Sequence, residues 1–339
     1  MRMRRSATVL GVAVPIALAG FWIMRDLMRP APDPLAVPAE TVILLVLDGV
    51  RPDELLSGPD PKLLDDVPTG TVMPYLMDEL MARGTFLGTD EGAAGFRLGN
   101  PMGVSMPSYQ SIFTGRLTVC LHNSCAPAWG GSLLADIKQG FEGVSDAIGF
   151  FSSSGQICAG VGVKHSDQNV LCGPLKGPDL PDAEVFAAAL EHLGKARPRF
   201  LYIALGESDH IGHTNDYGRY LDVLRSYDAF LRQLDVSVGE LAAAGQRVTL
   251  LVTTDHGRGE GAEWTGHRWN IPGTERLWFF ATGHGIAAAG HVPDKNEGSL
   301  YDIRATVNHL LGFTPPKGPL QGRVMTRILN TPSGETDSQ

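Results

Sequence analysis

Three aspartates each follow an apolar run: Asp48 in VILLVLDGV, Asp209 in FLYIALGESDHIGH and Asp255 in VTLLVTTDHG. His213 lies four residues after Asp209, and His256 directly after Asp255. Between the first two aspartates lies SMPSYQSIFTGR, where Ser105 opens a predicted helix. Carboxylate and imidazole together are the ligands expected for zinc, and they also suit manganese or iron. Three clustered carboxylates would repel one another without cations. Two divalent ions would leave a slightly positive site that a serine alkoxide brings near neutrality, a setting for activating a hydroxyl and holding an anionic ester.

Ser105 is the nucleophile candidate. Pro107 fits the first helical turn, where its missing N–H costs nothing, and the free N–H groups of that turn favour anions. Ser108 and Ser111 lie further into the helix. A helical segment puts Asp209 and His213 on one face. Asp255 and His256 are adjacent, and neighbours on a strand point to opposite faces, so the strand must end there and Gly257 lets the chain turn. His267 in WTGHRW is the natural sixth ligand, with His284 in TGHG ranked second. His210 and His165 read as surface or hydrogen-bonded residues, and Glu207 as a satisfied loop carboxylate.

A continuous run rich in Val, Ile and Leu predicts a buried parallel strand at 41–47, and further strands are predicted at 147–151, 200–205, 248–253 and 276–282. Helices are predicted at 74–83, stopped by Gly84; from Asp182, as cap, to about Leu193 with Gly194 at its end; at 217–244, ended by Gly245; and at 301–311. Strands alternating with helices imply an α/β fold with a mostly parallel sheet covered on both faces. Ligands bind beyond the carboxyl ends of strands in such sheets, and that is where all three aspartates fall.

The chain has 339 residues, 43% hydrophobic and 19% charged, with a net charge of −9. That balance argues against nucleic-acid binding, so any attraction for phosphate must be local, as bound cations would supply. Arg2, Arg4 and Arg5 precede an uncharged run from Ser6 to Met24, long enough to span a bilayer. Residues 1–29 read as an uncleaved signal anchor, which places the remainder outside the cytoplasm. A removable signal cut near Ala17-Leu18-Ala19 is the alternative. Residues 30–40 form a proline-rich linker, 41–329 the metal hydrolase domain, and 330–339 a polar tail predicted to be disordered. Four cysteines behind an export signal predict two disulfides, with the local pairs Cys120–Cys125 and Cys158–Cys172 preferred.

The order of Asp48, Ser105, Asp209-x-x-x-His213, Asp255-His256 and His267 resembles the alkaline phosphatase superfamily, over about residues 41–315. The nucleotide pyrophosphatase/phosphodiesterases and the sulfatases are among its branches. The resemblance implies an alkaline phosphatase-like fold and two metal ions, usually zinc. Asp48, Ser105, Asp255 and His256 would hold one ion, and Asp209, His213 and His267 the other. It further implies in-line attack by Ser105 through a phosphoseryl intermediate. Ser105-Met-Pro with Phe113-Thr114-Gly115 looks like the nucleophile segment of the phosphodiesterase branch, with serine for threonine. Tyr109 stands where formylglycine sulfatases need arginine, which disfavours that activity. Asn123 falls near the position of an asparagine that contacts a nonbridging oxygen in the diesterases. Phosphoglycerate mutases of the superfamily carry a large inserted domain, for which this chain has no room.

The resulting expectation is an exported metal-dependent phosphohydrolase acting on small-molecule, lipid or glycan phosphoesters. The alternatives are a phosphoethanolamine-type transferase acting on an envelope glycan or lipid, and a non-catalytic, metal-stabilised surface binding protein. Arg258, Arg268 and Lys164 are open as contacts for an extra phosphate charge.

Overall fold

The computed structural model describes residue 35 and residues 37–330, apart from 65–69, 90–94, 294–297 and 319. The signal anchor, most of the linker and the tail lie outside the described residues. Among the described residues no helix is long and apolar enough to cross a membrane.

The strands are β1 (Thr41–Leu47), β2 (Gly84–Gly88), β3 (Phe96–Arg97), β4 (Ile148–Ser152), β5 (Val170–Cys172), β6 (Phe200–Leu205), β7 (Val248–Thr253), β8 (Arg276–Gly283), β9 (Gly290–Val292) and β10 (Gly298–Ser299). The α-helices are α1 (Pro52–Leu56), α2 (Ser105–Thr114), α3 (Leu133–Gly140), α4 (Gly155–Gly160), α5 (Asp182–Ala196), α6 (Glu207–Gly212), α7 (Tyr217–Ala243) and α8 (Asp302–Leu310). The sheet runs β10-β3-β8-β7-β1-β6-β4-β5, with β2 also on β8 and β9 on β2. Strands β5, β4, β6, β1 and β7 are mutually parallel. The strand expected at 276–282 is present as β8, and it runs antiparallel to β7, β2 and β3 at the margin of the parallel centre.

Every residue of β1, β6 and β7 is buried, as continuous apolar runs require when helices cover both faces. Alternate side chains enter two cores. Ile43, Leu45, Leu201, Ile203, Leu250 and Val252 pack with α5 and α7. Val42, Leu44, Val46, Tyr202, Ala204 and Leu251 pack with α2, α3 and α8. Burying one such Leu or Ile contributes about 1.5–3 kcal/mol, so the parallel centre is a rigid platform for the loops at its strand ends.

Local corrections have local causes. Residues 74–83 form a π-helical turn at Tyr75–Leu80 and a 3-10 turn at Met81–Arg83; Asp228 pins the start of the turn by accepting from the Tyr75 and Leu76 N–H groups. Helix α5 runs through Gly194 and ends at Arg197, which takes the left-handed conformation. Asp182 is the first residue of α5 and does not cap it. Its buried carboxylate instead accepts from the Gly206 and Glu207 N–H groups at the start of α6 and from Tyr227 Oη. Glu207 Oε1 accepts the Asp182 N–H in return, at 3.2 Å. The reading of Glu207 as a satisfied carboxylate therefore fits.

Burial is the largest influence on Asp182 and raises it from 3.8 to about 6, against three hydrogen bonds that favour the anion. A raised folded-state value means the folded protein binds more protons than the unfolded chain between about pH 4 and 6. Stability from this group is therefore full below about pH 4 and is lost as pH rises through about 6, on the order of 3 kcal/mol. Urea unfolding at several pH values should show this fall in the wild type and a flatter profile in Asp182→Asn. Equal slopes in the two proteins would disprove the assignment.

Both local disulfides, Cys120–Cys125 and Cys158–Cys172, are formed. The first lies in the loop after α2, whose Asn123 returns to the start of that helix.

Candidate metal and nucleophile site

The loops after β1, β6 and β7 converge because those strands are neighbours. Asp48 follows β1 directly, Asp255 lies two residues past β7, and Asp209 sits in α6 just beyond β6. Backbone-to-side-chain bonds stitch the loops together. Gly49 N donates to Asp255 Oδ1 at 3.0 Å, Val50 N to Thr254 Oγ1 at 3.1 Å, and Ser208 Oγ to the Asp48 carbonyl.

His256 is fully buried at the centre. Its Nε2 lies 3.2 Å from Asp48 Oδ1, 3.5 Å from Asp255 Oδ2 and 3.9 Å from Asp209 Oδ1. His267 stacks on it with ring centroids 3.7 Å apart. The Nε2 of His267 lies 3.5 Å from Asp209 Oδ1 and 3.1 Å from His213 Nε2. His213 Nε2 is in turn 3.2 Å from Asp209 Oδ2. Asp48, Asp255 and His256 form one compact set of possible ligand atoms, and Asp209, His256 and His267 another. His213 sits at the exposed rim. His284 is excluded from the cluster: its Nε2 binds the Val37 carbonyl.

The donor set fits cations. Asp48 Oδ1 and Asp255 Oδ2 are buried with no hydrogen-bond donor, although a buried carboxylate oxygen ordinarily has one. His256 Nδ1 donates to the Gly257 carbonyl at 2.9 Å and His267 Nδ1 to the Gly103 carbonyl at 2.8 Å. Each bond fixes the tautomer that leaves Nε2 free to ligate, which is how metal-binding imidazoles are oriented. The protonation pattern also reports excess negative charge. Burial opposes charging of His256, but Asp255, Asp48 and Asp209 outweigh it and raise the imidazole to about 10. Burial, then the charge on His256, push His267 down to about 3. Burial and the Asp48 charge hold Asp255 well above the usual carboxylate range. Metal ions displace such protons from their ligands.

Ser105 is the first residue of α2, and Val104 holds the N-cap position. Ser105 is therefore not acting as the cap. Its partly exposed hydroxyl lies 3.4 Å from His256 Nε2, over the buried cluster. Ser108 and Ser111 are buried and donate to the carbonyls of Val104 and Pro107, which leaves Ser105 as the serine facing the cluster. Asn123 Oδ1 accepts the Met106 N–H at 3.0 Å, one residue beyond Ser105.

Two contributors escaped the sequence reading. Tyr109 lies one turn beyond Ser105 on the same helical face, and its Oη donates to Asp48 Oδ2 at 3.0 Å. That bond turns Oδ1 towards His256. Burial, with the charges of Asp48 and Asp255, keeps the phenol protonated, well above its ordinary value. The i, i+4 spacing to Ser105 was the available signal. Tyr202 on β6 is also buried near these carboxylates, which raise it further after burial itself.

The fold is alkaline phosphatase-like, as the motifs had indicated, and its strand-end cluster contains residue groups that could hold metal ions. The family profile described as "Metalloenzyme superfamily" matches residues 173–315, a span that holds Asp209, His213, Asp255, His256 and His267. Among curated proteins, the 2,3-bisphosphoglycerate-independent phosphoglycerate mutase of Synechococcus elongatus is 29% identical over 154 residues, 42% of this chain and 26% of that protein. The chain thus spans only about a quarter of the length of the curated relatives it matches. Among solved structures, the lipoteichoic acid synthase LtaP from Listeria monocytogenes superposes with a TM-score of 0.59 at 14% identity, over 91% of this chain and 82% of that one. The phosphonate monoester hydrolase of Agrobacterium radiobacter gives 0.58 at 13% identity, over 89% and 79%.

Proposed function

We propose that this chain is a metal-dependent phosphohydrolase that cleaves phosphate mono- or diesters with Ser105 as nucleophile. One observation carries the reading. The only serine hydroxyl of α2 that meets the cluster is partly exposed, above two buried carboxylates that each keep one oxygen without a donor. Asp48, Ser105, Asp255 and His256 would hold one divalent ion, and Asp209, His213 and His267 the second, zinc being the first choice for this ligand mix. When bound, such a pair supplies Lewis acidity at the attacking and leaving oxygens.

The chain's own residues do the rest. In the first turn of α2 the Met106 N–H is taken by Asn123, Pro107 has none and Ser108 donates to Val104, so the Ser105 N–H is the donor of that turn left for a phosphoryl oxygen. Asn123, with Oδ1 committed to Met106, offers its Nδ2 amide to a nonbridging oxygen. Tyr109 holds the Asp48 carboxylate in place through its hydrogen bond to Oδ2. Arg258 is not a contact for substrate, because it is wholly buried. Arg268 is exposed next to His267 and remains available for a phosphate oxygen. The basic-apolar sequence of residues 1–29 supports a membrane tether with the catalytic domain outside the cytoplasm, and the two disulfides agree with an oxidising compartment.

The test is hydrolysis by the full-length protein in detergent of a phosphate monoester, a phosphate diester and a sulfate ester, with chelator, zinc or manganese. Metal-dependent turnover of a phosphoester is expected, and the better ester sets the subclass. Preference for the sulfate ester, or turnover that survives chelation, would sink the proposal. A folded, metal-loaded protein inert towards all three would favour a transferase.

A further inference from the structure

Arg258 lies two residues beyond His256, and its guanidinium is buried inside the wall of the site. All three of its nitrogens are committed to the protein. Nε donates to the Trp264 carbonyl at 2.9 Å, Nη2 to the Thr265 carbonyl at 2.8 Å, and Nη1 to Asp209 Oδ1. Those partners belong to two different ligand-bearing segments. Thr265 is two residues before His267, and Asp209 opens the Asp209–His213 pair. Trp264 repeats the link from the other side, since its Nε1 donates at 2.9 Å to Asn215, two residues past His213.

The backbone leaves room for this brace at two glycines. A Cβ at Gly212 would stand 2.6 Å from Arg258 Cζ. A Cβ at Gly49 would stand 2.9 Å from both Arg258 Nη1 and Asp209 Oδ1, at a residue whose φ of +67° already favours glycine. By contrast, the Asp48–Asp255 half of the site is tied by Tyr109, Gly49 N and the neighbouring strands and makes no hydrogen bond to Arg258.

We infer that Arg258 is a positioning residue for one of the two metal subsites: it joins Asp209 to the His267 segment and so presets the Asp209–His213–His267 ion. The inference rests on the two-metal reading above. The guanidinium supplies what a lysine cannot, a planar fork that reaches three acceptors at fixed angles. It also fixes one Asp209 oxygen, in the way that outer partners orient metal ligands.

The test is zinc binding by the full-length wild type, Arg258→Met and Arg258→Lys, titrated calorimetrically after chelation and checked by metal analysis. Thermal unfolding of the chelated proteins runs alongside. The wild type should bind two ions. Arg258→Met should weaken one of them by about 10–100-fold and leave the other within about twofold, with Arg258→Lys between the two. Excess zinc should restore turnover by Arg258→Met with KM unchanged, since the residue does not touch substrate.

If Arg258→Met fails to fold, Gly212→Ala presses on the same guanidinium without removing its charge and should weaken the same single ion. Two unaltered affinities, equal weakening of both ions, or a KM that stays raised at saturating zinc would each overturn the inference. A wild type that binds two ions yet hydrolyses no phosphoester would instead count against the proposed function and leave this one standing.

Discussion

Ser105→Ala is expected to lower turnover by on the order of 10⁴–10⁶-fold while leaving fold and metal content nearly intact. The size of the effect follows from loss of the attacking atom, for which the structure offers no substitute. Ser108 and Ser111 are on the same helix, but their hydroxyls are buried and bonded back to carbonyls one turn earlier. The fold should persist because Ser105 is not the N-cap, and its single side-chain bond is to His256. The expected stability change therefore stays within about 0.5 kcal/mol. Steady-state kinetics with metal analysis on the same sample checks both halves. Residual activity within about tenfold of wild type would remove Ser105 from the mechanism. Mass spectrometry of acid-quenched wild type should show one phosphoryl group on the peptide carrying Ser105.

The second large effect combines a loss with a gain. Asp255→Asn removes a fully buried candidate ligand whose Oδ2 has no donor and whose Oδ1 accepts the Gly49 N–H. An amide oxygen keeps the Gly49 bond, so the loop after β1 should hold. The neutral side chain is a poor partner for a hard cation, and turnover should fall by at least about 10³-fold with one ion lost, since the open metal position disappears with its ligand. With chelator present, the same variant should unfold at a higher temperature than wild type. It removes a carboxylate whose charged form is disfavoured by burial and by the charge of Asp48, so the neutral amide is the less costly occupant when no cation is bound. Sites held in an unfavourable state for function show this exchange of stability for activity. Calorimetric melting of both proteins, chelated and metal-loaded, would reveal it. A chelated Asp255→Asn that melts lower than wild type would mean that the carboxylates are not in electrostatic conflict.

The residues differ in how readable they were. Asp48, Asp209 and Asp255 announced themselves because each ends a run whose composition fits only a strand covered on both faces, and ends of parallel strands share one edge. His267 was legible by its spacing and the glycine before it, and it joins the cluster, whereas His284 lies outside it. Tyr109 was read only as a missing arginine, because nothing local says that a phenol one turn from Ser105 will reach a carboxylate sixty-one residues earlier. Asp182 was misread for a similar reason. Its place at a helix start is a capping signal, but the free N–H groups nearest its carboxylate belong to α6, brought there by the pairing of β4 with β6. The direction of β8 was equally hidden, since a short apolar run reads alike in either orientation.

By itself, the sequence determined the α/β layering, the strand-end carboxylates and the order of the ligand candidates, and favoured the local disulfide pairs, because each depends on periodicity or on short separations. Tertiary structure alone decided which imidazole nitrogens turn inward, that Ser105 rather than its neighbours faces them, and that Arg258 braces Asp209 instead of meeting a phosphate. Those outcomes depend on contacts between segments about fifty to two hundred residues apart. Only the packed sheet, with glycines where two backbones close on a guanidinium, sets such distances.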